Sequence, residues 1–210
     1  VLIGGQGVGK GVFFKLLARI WSLTTLLVSD IDQVVGRFNA ALERNYVICM
    51  DEALFAGDKK SLNRLKSVVT EPQIRIEQKY QPSRTINSYQ RFFAATNHEH
   101  FAHVEHDDRR FLFLRVSDVH KQDTEYFGKL CESFHDGQSV EALVYDLMDK
   151  SLADFDVRAR PKSGEHLRQR LKSLENFERY WYEVLRQGEI AGYEFPAIDW
   201  AEPVFVSTDT

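Results

Sequence analysis

The chain has 210 residues and a formal net charge of −4, with 43% hydrophobic, 28% charged and 12% aromatic residues. This is the composition of a folded domain, and it excludes disordered, collagen-like and low-complexity classes. No run of 18 apolar residues occurs, so no membrane-spanning helix is expected, and two lone cysteines, Cys49 and Cys131, argue for a reducing, cytoplasmic setting over a disulfide framework.

Val1-Leu2-Ile3 reads as the end of a strand whose beginning lies outside the sequence, the expected form of a domain excised from a longer chain. A glycine loop, Gly4 to Gly9, follows, and then Phe13, Leu16, Leu17, Ile20 and Trp21 recur at helical spacing. Residues 30–44 read as a second amphipathic stretch opened by Asp30 as N-cap, with Val34, Val35, Phe38, Ala41 and Leu42 on its apolar side. Tyr46 to Met50 is an unbroken apolar run, too short for a helix and suited to a strand buried on both faces.

Residues 58–70 are again helical in pattern. Residues 73–90 alternate around the turn Gln81-Pro82-Ser83, which predicts a β-hairpin. Arg91 to Thr96 and Phe111 to Val116 are two further strand candidates, and strands alternating with helices imply an α/β layer fold. Beyond residue 118 the character becomes acidic and helical, with ten acids and three bases over 118–157, and one long amphipathic helix is expected after Pro161, carrying Leu167, Leu171, Leu174, Phe177, Trp181 and Leu185. The expected division is a core over 1–118 and a helical region over 119–210, in which residues 190–210 follow no readable pattern.

Chemistry concentrates at four places. Gly4-Gly5-Gln6-Gly7-Val8-Gly9-Lys10 fits the phosphate-binding loop G-x-x-x-x-G-K, in which backbone N–H groups and a helix N-terminus converge on phosphate and the lysine reaches the β- and γ-phosphates. Gly11 stands where that pattern has Ser or Thr, so the loop offers Mg²⁺ no hydroxyl. Asp51-Glu52 ends the buried strand in the manner of a Walker B element, Asp51 holding Mg²⁺ through water and Glu52 polarising the attacking water. Asn97 ends the next strand, where a γ-phosphate sensor would sit, and Arg109-Arg110 precede another strand as candidate arginine fingers. His98, His100, His103 and His106 lack a zinc-binding frame and read as a polar loop.

Charge is uneven. Residues 59–91 hold eight basic residues against two acids, a local +6 in an acidic chain, which is the footprint of a localised polyanion contact.

Taken together, GGQGVGKG, VICMDEA, IRIEQKY, FFAATN and DDRRF, in this order, resemble the superfamily 3 helicases, in particular the helicase domains of phage and plasmid primase-helicases and primase-polymerases. The resemblance implies a P-loop AAA+ fold: a parallel sheet with flanking helices, a β-hairpin insertion and a C-terminal helical region. It also implies an ATP- and Mg²⁺-dependent motor on single-stranded DNA, assembled with itself into a ring that is expected to be hexameric. It would act in phage or mobile-element replication in a bacterial host, with a primase or polymerase domain possible in the same chain. Carried over residue by residue, residues 4–11 bind nucleotide and Lys10, Asp51, Glu52, Asn97 and Arg109 or Arg110 serve catalysis. Lys79, together with Arg84, lies on a DNA-tracking hairpin. Two other classes stay open, a P-loop nucleotide or small-molecule kinase and a slow nucleotide-binding switch. ATPase assays with and without single-stranded DNA distinguish them.

Overall fold

The computed structural model describes residues 1–52, 59–101, 110–135, 137–156, 159 and 163–187. Five strands, β1 (Leu2–Ile3), β2 (Thr25–Val28), β3 (Val47–Asp51), β6 (Arg91–Thr96) and β7 (Leu114–Arg115), form one parallel sheet in the order β2-β3-β6-β1-β7. An antiparallel hairpin of β4 (Gln73–Ile76) and β5 (Arg84–Asn87) stands apart from it. The helices are α1 (Lys10–Ile20), α2 (Asp32–Val35), α3 (Lys59–Thr70), α4 (Thr124–Ser133), α5 (Gln138–Asp149), α6 (Gly164–Lys172) and α7 (Asn176–Gln187). The parallel sheet with flanking helices, the hairpin and the C-terminal helices agree with the architecture that the resemblance implies.

The apolar run of β3 is central because neighbouring residues point to opposite faces of the sheet. Val47 and Cys49 pack with Ala95 against Phe14 and Leu17 of α1. Ile48 and Met50 join Ala94 in the larger cluster, with Val34 and Val35 of α2, Leu62 and Leu65 of α3, and Ile74 and Ile76 of the hairpin. Phe101, Phe111 and Phe113 extend that cluster through edge-on and tilted ring contacts near 6 Å.

Three stretches differ from the sequence reading. The continuous amphipathic stretch 30–44 is split, because α2 ends at Gly36 and a 3₁₀ turn (Ala40–Arg44) follows. Asp30 does serve the helix start, its Oδ1 accepting the Asp32 N–H at 2.9 Å. Between the two pieces, buried Asn39 donates to Arg75 O at 3.0 Å and accepts the Glu77 N–H at 3.0 Å, which pulls this connection onto the hairpin. Only Leu114–Arg115 of the predicted strand 111–116 pair in the ladder, because the neighbouring β1 offers two residues, although Phe111 and Phe113 keep the inward alternation.

The single long helix after Pro161 is two helices. Ser173 closes α6 on Gln169 O and Arg170 O, and the Glu178 carboxylate reaches back to the Glu175 N–H at 3.3 Å to start α7. Its apolar stripe is largely exposed at Leu167, Phe177 and Leu185. The face of α6 that is buried is polar.

That polar face fixes α6 to the sheet. Gln169 is fully buried, accepting the Phe101 N–H at 3.1 Å and donating to Glu99 O at 2.7 Å and Glu165 Oε1 at 3.0 Å. Arg115 of β7 forks onto Glu99 at 2.6 and 3.0 Å and onto buried Glu165 at 2.7 and 3.2 Å. Hydrogen bonds from Arg115 and Lys172 hold the Glu99 carboxyl down to about 2. Burial alone would raise Glu165, but bonds from Arg115 and Gln169 outweigh it and leave its pKa below the ordinary value.

Two outcomes are expected. Gln169→Leu leaves the buried Phe101 N–H without its acceptor, at a cost of about 1–3 kcal/mol, read as a lower urea midpoint. Because both carboxyls are held below their unfolded value, their stabilisation is complete above pH about 4.5 and declines as pH falls toward about 2. Melting temperatures at about pH 5 and about pH 3 should therefore differ less for Arg115→Ala than for the parent.

Candidate functional site

Parallel register gathers the site. Ile3 lies beside Thr96, and Asp51 beside Ala95, so the carboxyl ends of β1, β3 and β6 deliver the glycine loop, Asp51-Glu52 and Asn97 to one edge. Ligands in open α/β sheets bind at this edge. Gln6, Gly7, Gly9, Lys10, Gly11, Val12, Lys15, Asp51, Glu52, Asn97 and Phe127 line a pocket of about 350 Å³ there, within the range of small-molecule sites.

Lys10 occupies the neck of the loop. Its Nζ donates to Gly4 O at 2.8 Å, Gly5 O at 2.7 Å and Asn97 Oδ1 at 2.6 Å, while Asn97 Nδ2 donates to Glu52 Oε1. A chain of contacts thus runs from the loop lysine through Asn97 to Glu52. Burial lowers the Lys10 pKa, opposed by the charges of Glu52 and Asp51. Behind Asp51, burial pushes the Cys49 thiol up to about 12, which makes it a packing residue and not a nucleophile.

Glycine is required at Gly9, where φ is +93° and an added Cβ would fall 2.4 Å from Phe127 Cε1. Gly4 and Gly5 supply the carbonyls on Lys10, Gly7 O accepts from Gln122, and Val8 is buried beneath the loop. At Gly11 a Cβ would meet open space, so the missing hydroxyl is not imposed by crowding. Mg²⁺ is commonly held by one or two carboxylates with water and phosphate oxygens, and Asp51 and Glu52 fit that donor set. Among the described residues no cluster of three His, Cys, Asp or Glu could hold a metal by itself. Arg110 is exposed and does not line this pocket, while Arg109, His103 and His106 lie outside the described residues.

The hairpin forms a second locus. Lys79 lies in its turn with Nζ 5.5 Å from the centre of the Phe38 ring, and the Arg37 guanidinium stands 5.7 Å from the same ring. Tyr80 is fully exposed at the tip with φ +63°. These side chains, with Arg75, Glu77, Gln78, Gln81 and Ser83, border a groove of about 510 Å³. Arg84 is engaged elsewhere: its Nε donates to Glu43 Oε1 at 2.8 Å, and these hydrogen bonds hold the Glu43 carboxyl below its usual range. Sequence reasoning missed Arg37 and Phe38 because they fell inside a presumed helix, although Gly36 marked its end. Phe127 had no local signal.

Residues 2–110 match DUF5906, a family of unknown function, and that span is more than half of the chain. The chain belongs to DUF5906. This DUF5906 protein is also 26% identical over 129 residues to the DNA primase-polymerase of Nitratiruptor phage NrS-1, a match covering 58% of the chain and 17% of the phage protein. Its fold is shared with two apo structures of the NrS-1 C-terminal region, each at TM-score 0.69 and 19% identity over 89% of the chain, covering 48% and 49% of those chains. It therefore spans less than a fifth of the curated relative and about half of the solved region. The likeness to phage primase-polymerases, first visible in the motifs, extends to the fold. Among the described residues no helix is long and apolar enough to cross a membrane.

The two glycines at the start of α1 should respond oppositely to substitution. Gly9→Ala is expected to lower the urea midpoint, since a left-handed conformation costs about 1–2 kcal/mol with a side chain before any overlap with Phe127. Gly11→Ala, in open space, should be neutral or stabilising by up to about 1 kcal/mol.

Proposed function

We propose that this chain is an ATP-hydrolysing motor domain that moves on single-stranded DNA in phage or mobile-element replication. The observation that supports it most is the convergence of Lys10, Asp51, Glu52 and Asn97 on one pocket beside a phosphate loop. Lys10 leaves the Gly4 and Gly5 carbonyls and turns its ammonium to the β- and γ-phosphate oxygens. Asn97 exchanges Glu52 for the γ-phosphate, and the freed carboxylate orients a water and takes its proton. The water oxygen bonds to the γ-phosphorus while the bond to the β–γ bridging oxygen breaks, giving ADP and phosphate. Mg²⁺, held by Asp51 through water, would supply charge neutralisation on the phosphate oxygens.

DNA contact is assigned to the hairpin tip. Lys79 supplies phosphate-pairing charge, Arg37 adds to it on exchanging its 3.2 Å bridge to Glu77 for phosphate, and exposed Tyr80 and half-exposed Phe38 offer faces on which bases stack. Arg84, neutralised by Glu43, shapes the hairpin. Arg109 or Arg110 would act on nucleotide held by a neighbouring copy, which requires an oligomer, and the resemblance implies a ring.

Lys10→Ala is expected to abolish ATP binding, whereas Glu52→Gln binds ATP and fails to hydrolyse it; equal turnover by Glu52→Gln and the parent removes Glu52 from this role. Lys79→Ala should lose stimulation by single-stranded DNA and keep basal turnover, and the parent's DNA affinity should fall as salt rises. Mixing Arg110→Ala with Lys10→Ala subunits should restore part of the activity each lacks. Mixtures that stay inactive, beside a parent whose rate per subunit is independent of concentration, would point to a kinase or switch instead of a ring.

A further inference from the structure

Phe127 has no part in the chemistry proposed above, yet it is the one aromatic side chain among the described residues lining the pocket. It arrives from α4, distant in sequence from every motif, and several contacts fix it. The Gln122 N–H donates to Gly7 O at 2.9 Å, tying the segment before α4 to the top of the phosphate loop. Asp123 caps α4, its Oδ1 accepting the Tyr126 N–H at 2.9 Å and its carbonyl the Phe127 N–H at 3.0 Å. Tyr126 stacks on His120 with centres 3.7 Å apart and meets Phe127 edge-on at 5.2 Å. The edge of the Phe127 ring rests against Gly9, and the side chain is only partly buried.

The pocket lining is chemically divided. Asp51, Glu52 and Asn97, at the ends of β3 and β6, suit a metal ion, water and the terminal phosphate. Gly11, Val12 and Lys15 of α1 and Phe127 of α4 bring no carboxylate. Val12 and Phe127 offer apolar surface with one flat ring, beside the Lys15 side chain. A ligand whose phosphates fill the loop must extend its remaining part away from the acids, and a planar heterocycle is the group that gains most from such a ring.

We infer that Phe127 is the nucleoside-stacking residue of this site, and that it selects purine over pyrimidine nucleoside triphosphates by ring area. The inference rests on the nucleotide-binding reading and adds the means by which the base is held. An aromatic ring recognises a base by its face, which every base has, so selectivity follows stacking strength more than edge pattern.

The test measures equilibrium binding of ATP, CTP and inorganic tripolyphosphate to the parent, Phe127→Ala, Phe127→Leu and Phe127→Trp, with melting temperatures to follow folding. The parent should bind ATP more tightly than CTP. Phe127→Ala should lose about tenfold in ATP affinity while its tripolyphosphate affinity stays unchanged. Phe127→Leu, which refills the packing against Gly9 without a flat ring, should recover thermal stability and not ATP affinity. Phe127→Trp should retain ATP affinity and show indole quenching with ATP and none with tripolyphosphate, measured against the parent's own tryptophans. ATP affinity within twofold of the parent in both Phe127→Ala and Phe127→Leu overturns the inference, as does an equal loss for tripolyphosphate, which would mean that Phe127 braces the loop. A parent that binds neither ATP nor tripolyphosphate instead defeats the nucleotide reading itself.

Discussion

The buried ammonium of Lys10 organises the loop end of this molecule. Lys10 Nζ has lost most of its water and is satisfied by two loop carbonyls and the Asn97 side chain. An unpaired buried charge costs several kcal/mol, so the loop must curl around Lys10 and β6 must end beside it. The parallel pairing of β1 with β6 serves the same geometry, since it alone brings residue 97 to the mouth of the loop. These acceptors are neutral, and charged oxygens make stronger hydrogen bonds to an ammonium, so an anion at the loop would compete with them for Lys10 under the function proposed above.

The end of β6 also joins the pocket to the C-terminal helices. Asn97 touches Lys10 and Glu52, and two residues later Glu99 is gripped by Arg115 and Lys172, with Gln169 on its carbonyl. On the opposite side of the loop, Gln122 and Phe127 press on Gly7 and Gly9. The acidic helical region therefore contacts the glycine loop directly at one place and through the tail of a strand at another. The three non-glycine residues with left-handed backbone among those described are Glu52, Tyr80 and Gln122, at the acidic strand end, the hairpin tip and the segment pressed on the loop. Side chains seldom adopt this conformation without being aimed by their surroundings.

Local charge proved a coarse guide. Within the basic segment 59–91, Arg84 is neutralised by Glu43, Arg75 pairs with Glu77 at 3.4 Å, Arg64 donates to Val35 O, and Arg91 lies over the Tyr46 ring. Lys66 is buried. Lys59, Lys60 and Lys79 remain exposed, and Lys79 at the hairpin tip is joined by Arg37 from outside the segment, itself bridged to Glu77 at 3.2 Å. The cationic groove is thus assembled by folding, from two stretches that the linear charge count does not connect.

By itself the sequence determined whatever depends on contiguous residues. The glycine loop closing on Lys10, the buried run ending in Asp51-Glu52, the hairpin and the strand ending in Asn97 are local patterns whose backbone demands are met within a few residues. Hydrophobic period and turn chemistry therefore sufficed to place them. Tertiary structure decided what depends on pairing across distance: the break of 30–44 at Gly36, forced by Asn39 bonding to the hairpin; the shortness of β7, limited by its partner; and the polar face by which α6 docks, opposite to the stripe that periodicity favoured. Phe127 belongs with these. Nothing in Glu125-Tyr126-Phe127-Gly128 distinguishes it from an ordinary helix residue, and only the approach of α4 to Gly9 makes it a wall of the pocket.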